Sequence, residues 1–434
     1  MLYEYIQQIA YEIPTSPAMP AGDLCDVESD LQEVKDPLDG LTEDARKRVK
    51  RIIAVAEAAQ KSEDVHGEDT TILKLFMAPE FYFRPQQGGT QRSYSGADKE
   101  AILAVLKCAF AQEKFKHWLF ILGTIVWEEK ASAVLGKIQN LTENDALTEA
   151  QESGVILWNT AVIAVGGSNV QKVFNKRHYS GADGIDEKYQ PDLPNLTASK
   201  QLKQGNLIDK LGQENKVALK DYFTAFWKED RENCLIPMGD LKFGVEVCKD
   251  HETGVLRELL QDRKKTLKVN TVPDFQVITA CGMRIQPDYV TVAQNAFVFR
   301  IDGAGKIDTT WKPEYHASEV QRVIGMRNGN SPIMCAAYID NQIRYKDTSK
   351  DWNELNARRI ELPLQGKLLI NTNGLQGSKP VYKPKVEEPD VKVDDLETIY
   401  PQRVVIYEAR RSPYVNAVQV NPQVLNPNIN ANNK

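Results

Sequence analysis

The sequence predicts an α/β fold, because buried strands alternate along it with amphipathic helices. Three apolar runs have the length and composition of buried strands: TILKLFM at 71–77, WLFILGTIVW at 118–127 and FGVEV at 243–247. Residues 42–61 carry apolar side chains at helical spacing after a Thr-Glu-Asp start. In sheets of this kind functional residues gather where the strands end.

The remaining elements continue this alternation. Helices are also predicted at 98–116, 215–227 and 255–265. Strands are also predicted at 154–165, 170–174, 275–279, 333–338, 367–371 and 403–407. The residues Gly-Gly-Ser-Asn at 166–169 form the turn between the first two of these strands. Residues 1–13 fit a helix or a strand, as do residues 288–303, and both assignments stay open.

Composition excludes several classes of protein. The chain has 434 residues, and 54 lysines and arginines against 60 acidic residues give a formal charge of −6. No overall charge attraction to nucleic acid or an anionic membrane follows from that balance. No apolar run reaches membrane-spanning length, and the first residues lack the basic start of a signal peptide. Six scattered cysteines predict reduced thiols rather than a disulfide or zinc framework, and hence a cytoplasmic location.

Three strand ends carry a reactive side chain directly after an apolar run: Glu80, Lys176 and Cys248. A lone buried cysteine is more often a small apolar core residue than a nucleophile. A carboxylate in a dry pocket can accept the thiol proton, and an ammonium can favour the thiolate and stabilise an oxyanion. Together the three side chains therefore predict nucleophilic catalysis by cysteine.

The segments around these residues resemble the nitrilase (carbon–nitrogen hydrolase) superfamily. MAPEFYF at 77–83 is similar to its glutamate segment, and GVEVCKD at 244–250 to its cysteine segment. Its lysine segment resembles WNTA at 158–161, a Gly-Gly turn, and FNKRH at 174–178. The three segments occur in the family's order, and the resemblance covers roughly residues 45–300.

The resemblance implies an α-β-β-α sandwich and a Glu-Lys-Cys triad that forms a thioester from an amide or a nitrile. Glu80 would be the general base and acid, Lys176 the oxyanion-stabilising lysine, and Cys248 the nucleophile. The backbone N–H of Lys249 would be a second oxyanion donor. The family needs no metal or other cofactor, acts on small-molecule or side-chain amides, and makes a homodimer the default expectation.

Further residues receive roles from the same resemblance. The family's second glutamate corresponds best to Glu187, with Asp183 and Asp186 left open as alternatives. Glu252 stands where the family commonly has arginine, which suggests an unusual substrate.

Neighbouring side chains receive supporting roles. Tyr82 is predicted to line the pocket, and His178 to orient the lysine loop. Asp250 is predicted to cap the following helix or to hold the loop that presents Cys248. Cys281, also at a strand end, is the rival nucleophile and is expected to line the pocket.

The predicted organisation is a nitrilase-like catalytic domain at 1–375 and a C-terminal arm with a disordered tail at 376–434. Insertions at about 84–98, 128–153 and 187–233 are expected to border the pocket. An acyltransferase with the same triad and a pseudoenzyme that binds a protein partner remain the alternative functions.

Overall fold

The computed structural model describes residues 3–13, 15, 40–62, 65–85, 93–180, 183, 193–198, 207–268, 272–293, 296–304, 318–327, 331–337, 343–346, 367–371, 403–406 and 410–411. Within these ranges the chain forms α-helices and two β-sheets, a mixed α/β fold. The helices are α1 (Glu43–Gln60), α2 (Gly96–Phe110), α3 (Ala131–Leu135), α4 (Asp145–Ser153), α5 (Gln213–Asp230), α6 (Lys249–Thr253) and α7 (Val255–Leu267).

The first sheet has parallel strands at its centre. Its strands are β1 (Tyr5–Glu12), β2 (Ile72–Ala78), β3 (Tyr94–Ser95), β4 (Trp118–Lys130), β5 (Gly154–Val165), β6 (Gln171–Asn175), β7 (Asn195–Ala198), β15 (Lys367–Asn371), β16 (Arg403–Ile406) and β17 (Arg410–Arg411). The order is β15-β16-β1-β2-β4-β5-β6, with β17 beside β1, β3 beside β4 and β7 beside β5. The neighbours β1, β2 and β4 run parallel, and the β5–β6 hairpin is antiparallel.

The second sheet also has three parallel strands. Its strands are β8 (Leu235–Met238), β9 (Leu241–Val247), β10 (Phe275–Ala280), β11 (Phe297–Asp302), β12 (Ser318–Arg327), β13 (Ser331–Ala337) and β14 (Ile343–Lys346). They lie in the order β14-β13-β12-β11-β10-β9-β8, and β9, β10 and β11 are mutually parallel. Their carboxyl ends therefore meet at one edge of the sheet.

Side-chain alternation along the strands divides the buried residues into clusters. Leu75 and Met77 of β2 belong to a cluster that also contains Val245 and Val247 of β9, so both sheets contribute to one core. Phe76 of β2 belongs instead to a cluster built with α1 and α2. The two sheets thus share buried side chains on one side, and helices cover the other side of the first sheet.

Helix α7 packs closely on β9 at Gly244. A Cβ on Gly244 would lie 2.5 Å from Cδ2 of Leu256 in α7. The backbone N–H of Leu256 donates to the buried carboxylate of Glu246, at 3.0 Å. These contacts fix the start of α7 against the strand that leads to Cys248.

Two of the predicted insertions build a third cluster. Helices α3 and α4, strand β7 and helix α5 pack around Trp158 of β5, with Phe223 and Trp227 from α5. Trp158 is the first residue of the WNTA segment and directly precedes Asn159, so this cluster includes part of the segment that resembles the lysine motif.

The structure also resolves the assignments that the sequence left open. Residues 1–13 contain the strand β1, and residues 288–303 contain the strand β11. The predicted division at residue 375 stays a prediction, although β16 and β17 from the predicted arm pair with β1. Within the described residues, no helix is both long and apolar enough to span a membrane.

Candidate active site

Three strand ends bring Glu80, Lys176 and Cys248 into one buried place. Glu80 follows β2 by two residues, Lys176 follows β6 directly, and Cys248 follows β9 directly. The Nζ atom of Lys176 donates to Oε1 of Glu80 at 2.8 Å. The Cys248 thiol lies close enough to the Glu80 carboxylate for the charge of Glu80 to raise the pKa of the thiol. Glu80 and Lys176 are fully buried and Cys248 is 2% exposed.

A fourth residue, Asp183, completes the cluster. Its Oδ2 accepts from Nζ of Lys176 at 2.7 Å, so two carboxylates share one ammonium. The Nδ2 atom of Asn159 bridges both, at 2.9 Å from Oε1 of Glu80 and 2.8 Å from Oδ1 of Asp183. Asp183 was one of the alternatives for the second carboxylate, and Glu187 and Asp186 lie outside the described residues.

Burial and charge set the proton affinities of these groups. Burial raises the pKa of Glu80 to about 7, Asp183 adds to the rise, and the Lys176 ammonium opposes it. Burial also raises the pKa of the Cys248 thiol, and the nearby Glu80 carboxylate raises it further. Burial alone lowers the pKa of Lys176, but Asp183 and Glu80 together raise it well above its ordinary value. Near neutral pH, the lysine is therefore charged, the cysteine is a thiol and Glu80 can bind or release a proton.

The backbone at the nucleophile candidate is strained. Cys248 has φ 47° and ψ −111°, a conformation that non-glycine residues rarely adopt. Its N–H donates to the carbonyl of Thr279 at 3.0 Å, and its carbonyl accepts from the N–H of His251 at 2.9 Å. This sharp turn joins β9 to α6 and places Lys249 in the first turn of a helix, where backbone N–H groups lack intrahelical acceptors.

Asp250 ties the cysteine segment to the lysine segment. Its carboxylate accepts from the backbone N–H groups of Arg177 and His178, at 3.0 and 2.7 Å. Nδ1 of His178 lies 3.1 Å from the same carboxylate and 3.0 Å from the Thr253 hydroxyl. Of the two roles expected for Asp250, the helix cap is not observed, because neither α6 nor α7 has a side-chain cap. The Asp250 carboxylate instead joins the cysteine segment to the loop after Lys176, and the His178 ring helps to fix that loop.

The aromatic neighbour of the site is Phe81, and the expectation for Tyr82 is corrected. Tyr82 lies in the cluster that faces α1 and α2 and donates to the carbonyl of Arg48 at 3.0 Å. Nζ of Lys176 lies 5.6 Å from the centre of the Phe81 ring. Phe81 has φ 63°, which reverses the chain after Glu80 and turns the ring towards the lysine. Three aromatic residues follow Pro79 and Glu80 in succession, and the sequence alone does not distinguish which of them faces the lysine.

The other predicted side chains lie around this centre. Cys281 is buried in a cluster with Phe81, and its backbone N–H is near enough to Cys248 to oppose the rise in the pKa of that thiol. Lys249 and Glu252 form a half-exposed ion pair of 2.5 Å. The negative charge of Glu252 is thus matched within the same helix turn. Among the described residues, no group of three or more potential ligands could hold a metal ion.

The chain is similar to solved structures of nitrilase superfamily members. No family model and no curated protein matches it. It is 14% identical to Saccharomyces cerevisiae Nit3, a member of branch 10 of that superfamily, over 77% of this chain and 86% of Nit3, with a TM-score of 0.33. It is 10% identical to the Xanthomonas campestris CN-hydrolase superfamily protein XC1258, over 79% and 83% of the two chains, with a TM-score of 0.34.

A third similar structure is the glutamine-dependent NAD+ synthetase of Acinetobacter baumannii. The identity is 13% over 80% of this chain, the TM-score is 0.32, and the match spans 48% of the synthetase. At these TM-scores the similarity by itself assigns no activity to this chain. The chemistry proposed below rests on the residues of the chain.

Proposed function

We propose that this chain is a carbon–nitrogen hydrolase of the nitrilase type, with an α-β-β-α sandwich, which cleaves a non-peptide amide or a nitrile through a thioester on Cys248. One observation carries the proposal: a thiol, a carboxyl of pKa about 7 and a lysine held by two carboxylates are buried together at three strand ends. The substrate would be a small molecule or an amide-bearing side chain. The compartment would be a reducing one such as the cytoplasm, and a homodimer remains a prediction.

The first half of the reaction forms the thioester. Because burial raises its pKa, Cys248 rests as a protonated thiol and needs a base to become a nucleophile. Glu80 would take the thiol proton as sulfur attacks the carbonyl or nitrile carbon. Lys176 and the N–H of Lys249 would stabilise the negative charge that develops on the substrate. With an amide, Glu80 would then protonate the nitrogen of the departing amine as the C–N bond breaks. With a nitrile, attack would give a thioimidate, to which one water molecule adds with Glu80 as the base before ammonia leaves and the thioester remains.

The second half releases the acid. Glu80, again a carboxylate, would remove a proton from water as the water oxygen attacks the thioester carbon. The tetrahedral intermediate would collapse, break the C–S bond and return the proton to the sulfur of Cys248. A carboxyl whose pKa lies near 7 suits this alternation, since it gives up and takes the proton with little free-energy cost at neutral pH.

The burial of these charges supports catalysis over a binding-only role. Glu80 and Lys176 both have 0% exposure, so neither side chain lies on a surface that a protein partner could contact. Removing an ion pair from water costs several kcal/mol per ion, and apolar residues of similar volume are often as stabilising. A scaffold that only bound a partner would gain nothing from placing this cluster beside a buried thiol.

The test is hydrolysis of a panel of primary amides and nitriles by the full chain, measured as ammonia release. Cys248→Ala and Glu80→Gln should each abolish release, whereas Cys234→Ala, which removes a buried thiol away from the cluster, should leave it unchanged. Intact mass should show an acyl adduct that requires Cys248. Activity retained in both site variants would refute the mechanism, and acylated amine products on addition of an amine would favour the acyltransferase.

A further inference from the structure

A carboxylate outside the triad holds the residue that precedes Lys176. Asp230 is the last residue of α5, and its Oδ2 accepts from the backbone N–H of Asn175 at 2.6 Å. Its Oδ1 accepts from Nδ2 of the same asparagine at 3.2 Å. Two hydrogen bonds to a carboxylate fix both the backbone and the side chain of Asn175.

The side chain of Asn175 is also held from the neighbouring strand. Its Oδ1 accepts from the Thr160 hydroxyl at 2.5 Å, and that hydroxyl accepts from Nε1 of Trp127 at 2.7 Å. The chain of contacts from Trp127 to Asp230 crosses β4, β5, β6 and α5. Asn175 therefore has little freedom to shift along the strand.

Successive residues of a strand point to opposite faces, so Asn175 and Lys176 leave the β6 end in opposite directions. On the far side of Lys176, Asp250 accepts from the N–H groups of Arg177 and His178. The lysine thus lies between two backbone segments that are each anchored by an aspartate. Asp250 belongs to the cysteine segment, whereas Asp230 belongs to the predicted insertion 187–233.

We propose that Asp230 is a positioning residue that, through Asn175, holds the Lys176 ammonium where it stabilises charge on Cys248 and on the substrate. This inference rests on the proposed function for the role of Lys176. With this role for Asp230, the predicted insertion 187–233 has a part in catalysis. Helix α5 of the third core cluster is linked to the lysine by the hydrogen bonds between Asp230 and Asn175. A change in the packing of α5 would then alter turnover without any contact to substrate.

The test uses the rate at which iodoacetamide alkylates Cys248, identified by peptide mass, because this rate follows the thiolate fraction and needs no substrate. The variants are Asp230→Ala, Lys176→Met and the double variant. Glu229→Ala is the matched control, since Glu229 is the exposed neighbour of Asp230 on the same helix. Asp230→Asn, which keeps one acceptor, serves if the alanine variant does not fold, as judged by near-UV circular dichroism.

Asp230→Ala should slow alkylation about tenfold, equivalent to roughly one unit in the thiol pKa. The same substitution should have no effect in the Lys176→Met background, and Glu229→Ala should match the wild type. For any amide that is turned over, kcat should fall with KM unchanged. Equal slowing with and without Lys176, or no slowing at all, would overturn the proposal. Absence of turnover with this alkylation pattern intact would refute the hydrolase and leave the positioning role standing.

Discussion

Asp183 should tune the proton affinity of Glu80, and Asp183→Asn isolates that effect. Both carboxylates bind the same Nζ, at 2.7 and 2.8 Å, so their charges face each other across one ammonium. A pair of like charges about 5 Å apart at an effective dielectric constant of ~20 repels by on the order of 3 kcal/mol, or roughly two pKa units. The substitution removes this repulsion and keeps the side-chain shape.

The expected direction of the change in activity follows from the proposed role of Glu80 as a base. Wild-type Glu80, with a pKa of about 7, is active only when deprotonated, so kcat/KM should rise with pH through about 7 and then level off. In Asp183→Asn, Lys176 still attracts the Glu80 charge while the opposing carboxylate is gone. The pKa of Glu80 should therefore fall, and the rising limb should move towards acid by roughly one to two units.

The assay is the pH dependence of kcat/KM for the best amide of the panel between pH 4 and 9. Asp221→Asn, an exposed substitution of the same chemistry on α5, is the control and should keep the wild-type limb. A limb that stays near pH 7 in Asp183→Asn would show that Asp183 does not set the pKa of Glu80. A limb that moves to higher pH would contradict the assignment of Glu80 as the base.

Two further predictions concern the strand that presents Cys248. His251→Ala should lower the free energy of unfolding by about 3 kcal/mol, measured by chemical denaturation, because the buried Glu246 carboxylate loses its 2.7 Å partner and the N–H of Gln286 loses its acceptor; an unchanged midpoint would contradict this. Gly244→Ala should cost about 1–3 kcal/mol through the clash with Leu256. In the double variant Gly244→Ala/Leu256→Ala, the loss of unfolding free energy should be smaller than the sum of the two single losses, because the clash is removed. Strictly additive losses would argue against the clash.

Much of the fold could be predicted, because strand and helix periodicity survive in most segments. The predicted strand at 71–77 is β2 (Ile72–Ala78), and the predicted helix at 255–265 is α7. The sequence did not distinguish a strand from a helix at residues 1–13, because glutamines interrupt the apolar pattern there. Gln7 and Gln8 are each 1% exposed: Gln7 accepts from the N–H of His66, and Gln8 donates to Sδ of Met77. Tertiary hydrogen bonds of this kind leave no local signal.

The residues of the candidate site could be predicted where they lie within a short motif. They could be predicted less well where only tertiary contacts distinguish one residue from its neighbours. Asp183 stood among three acidic residues within five positions, and no periodicity distinguishes them. One signal was present: Ser180, three residues earlier, binds Oδ2 of Asp183 through its N–H and hydroxyl, and its carbonyl accepts from the N–H of Asp183. Serine and aspartate at that spacing favour a tight turn. That turn aims the carboxylate back at the lysine.

The two aspartates that hold the lysine segment differ in what the sequence reveals about them. Asp250 lies two residues after Cys248 in the motif, so the sequence singles it out, although its contact with the lysine segment was not predicted. Asp230 lies 55 residues after the asparagine that it binds, within an insertion of no recognisable motif. Asp230 and Asp250 accept from backbone N–H groups on opposite sides of Lys176 in the chain, so both aspartates help to fix the position of the lysine. The predicted insertion 187–233 therefore helps to fix the geometry of the candidate site, although it contributes no reacting atom to the proposed mechanism.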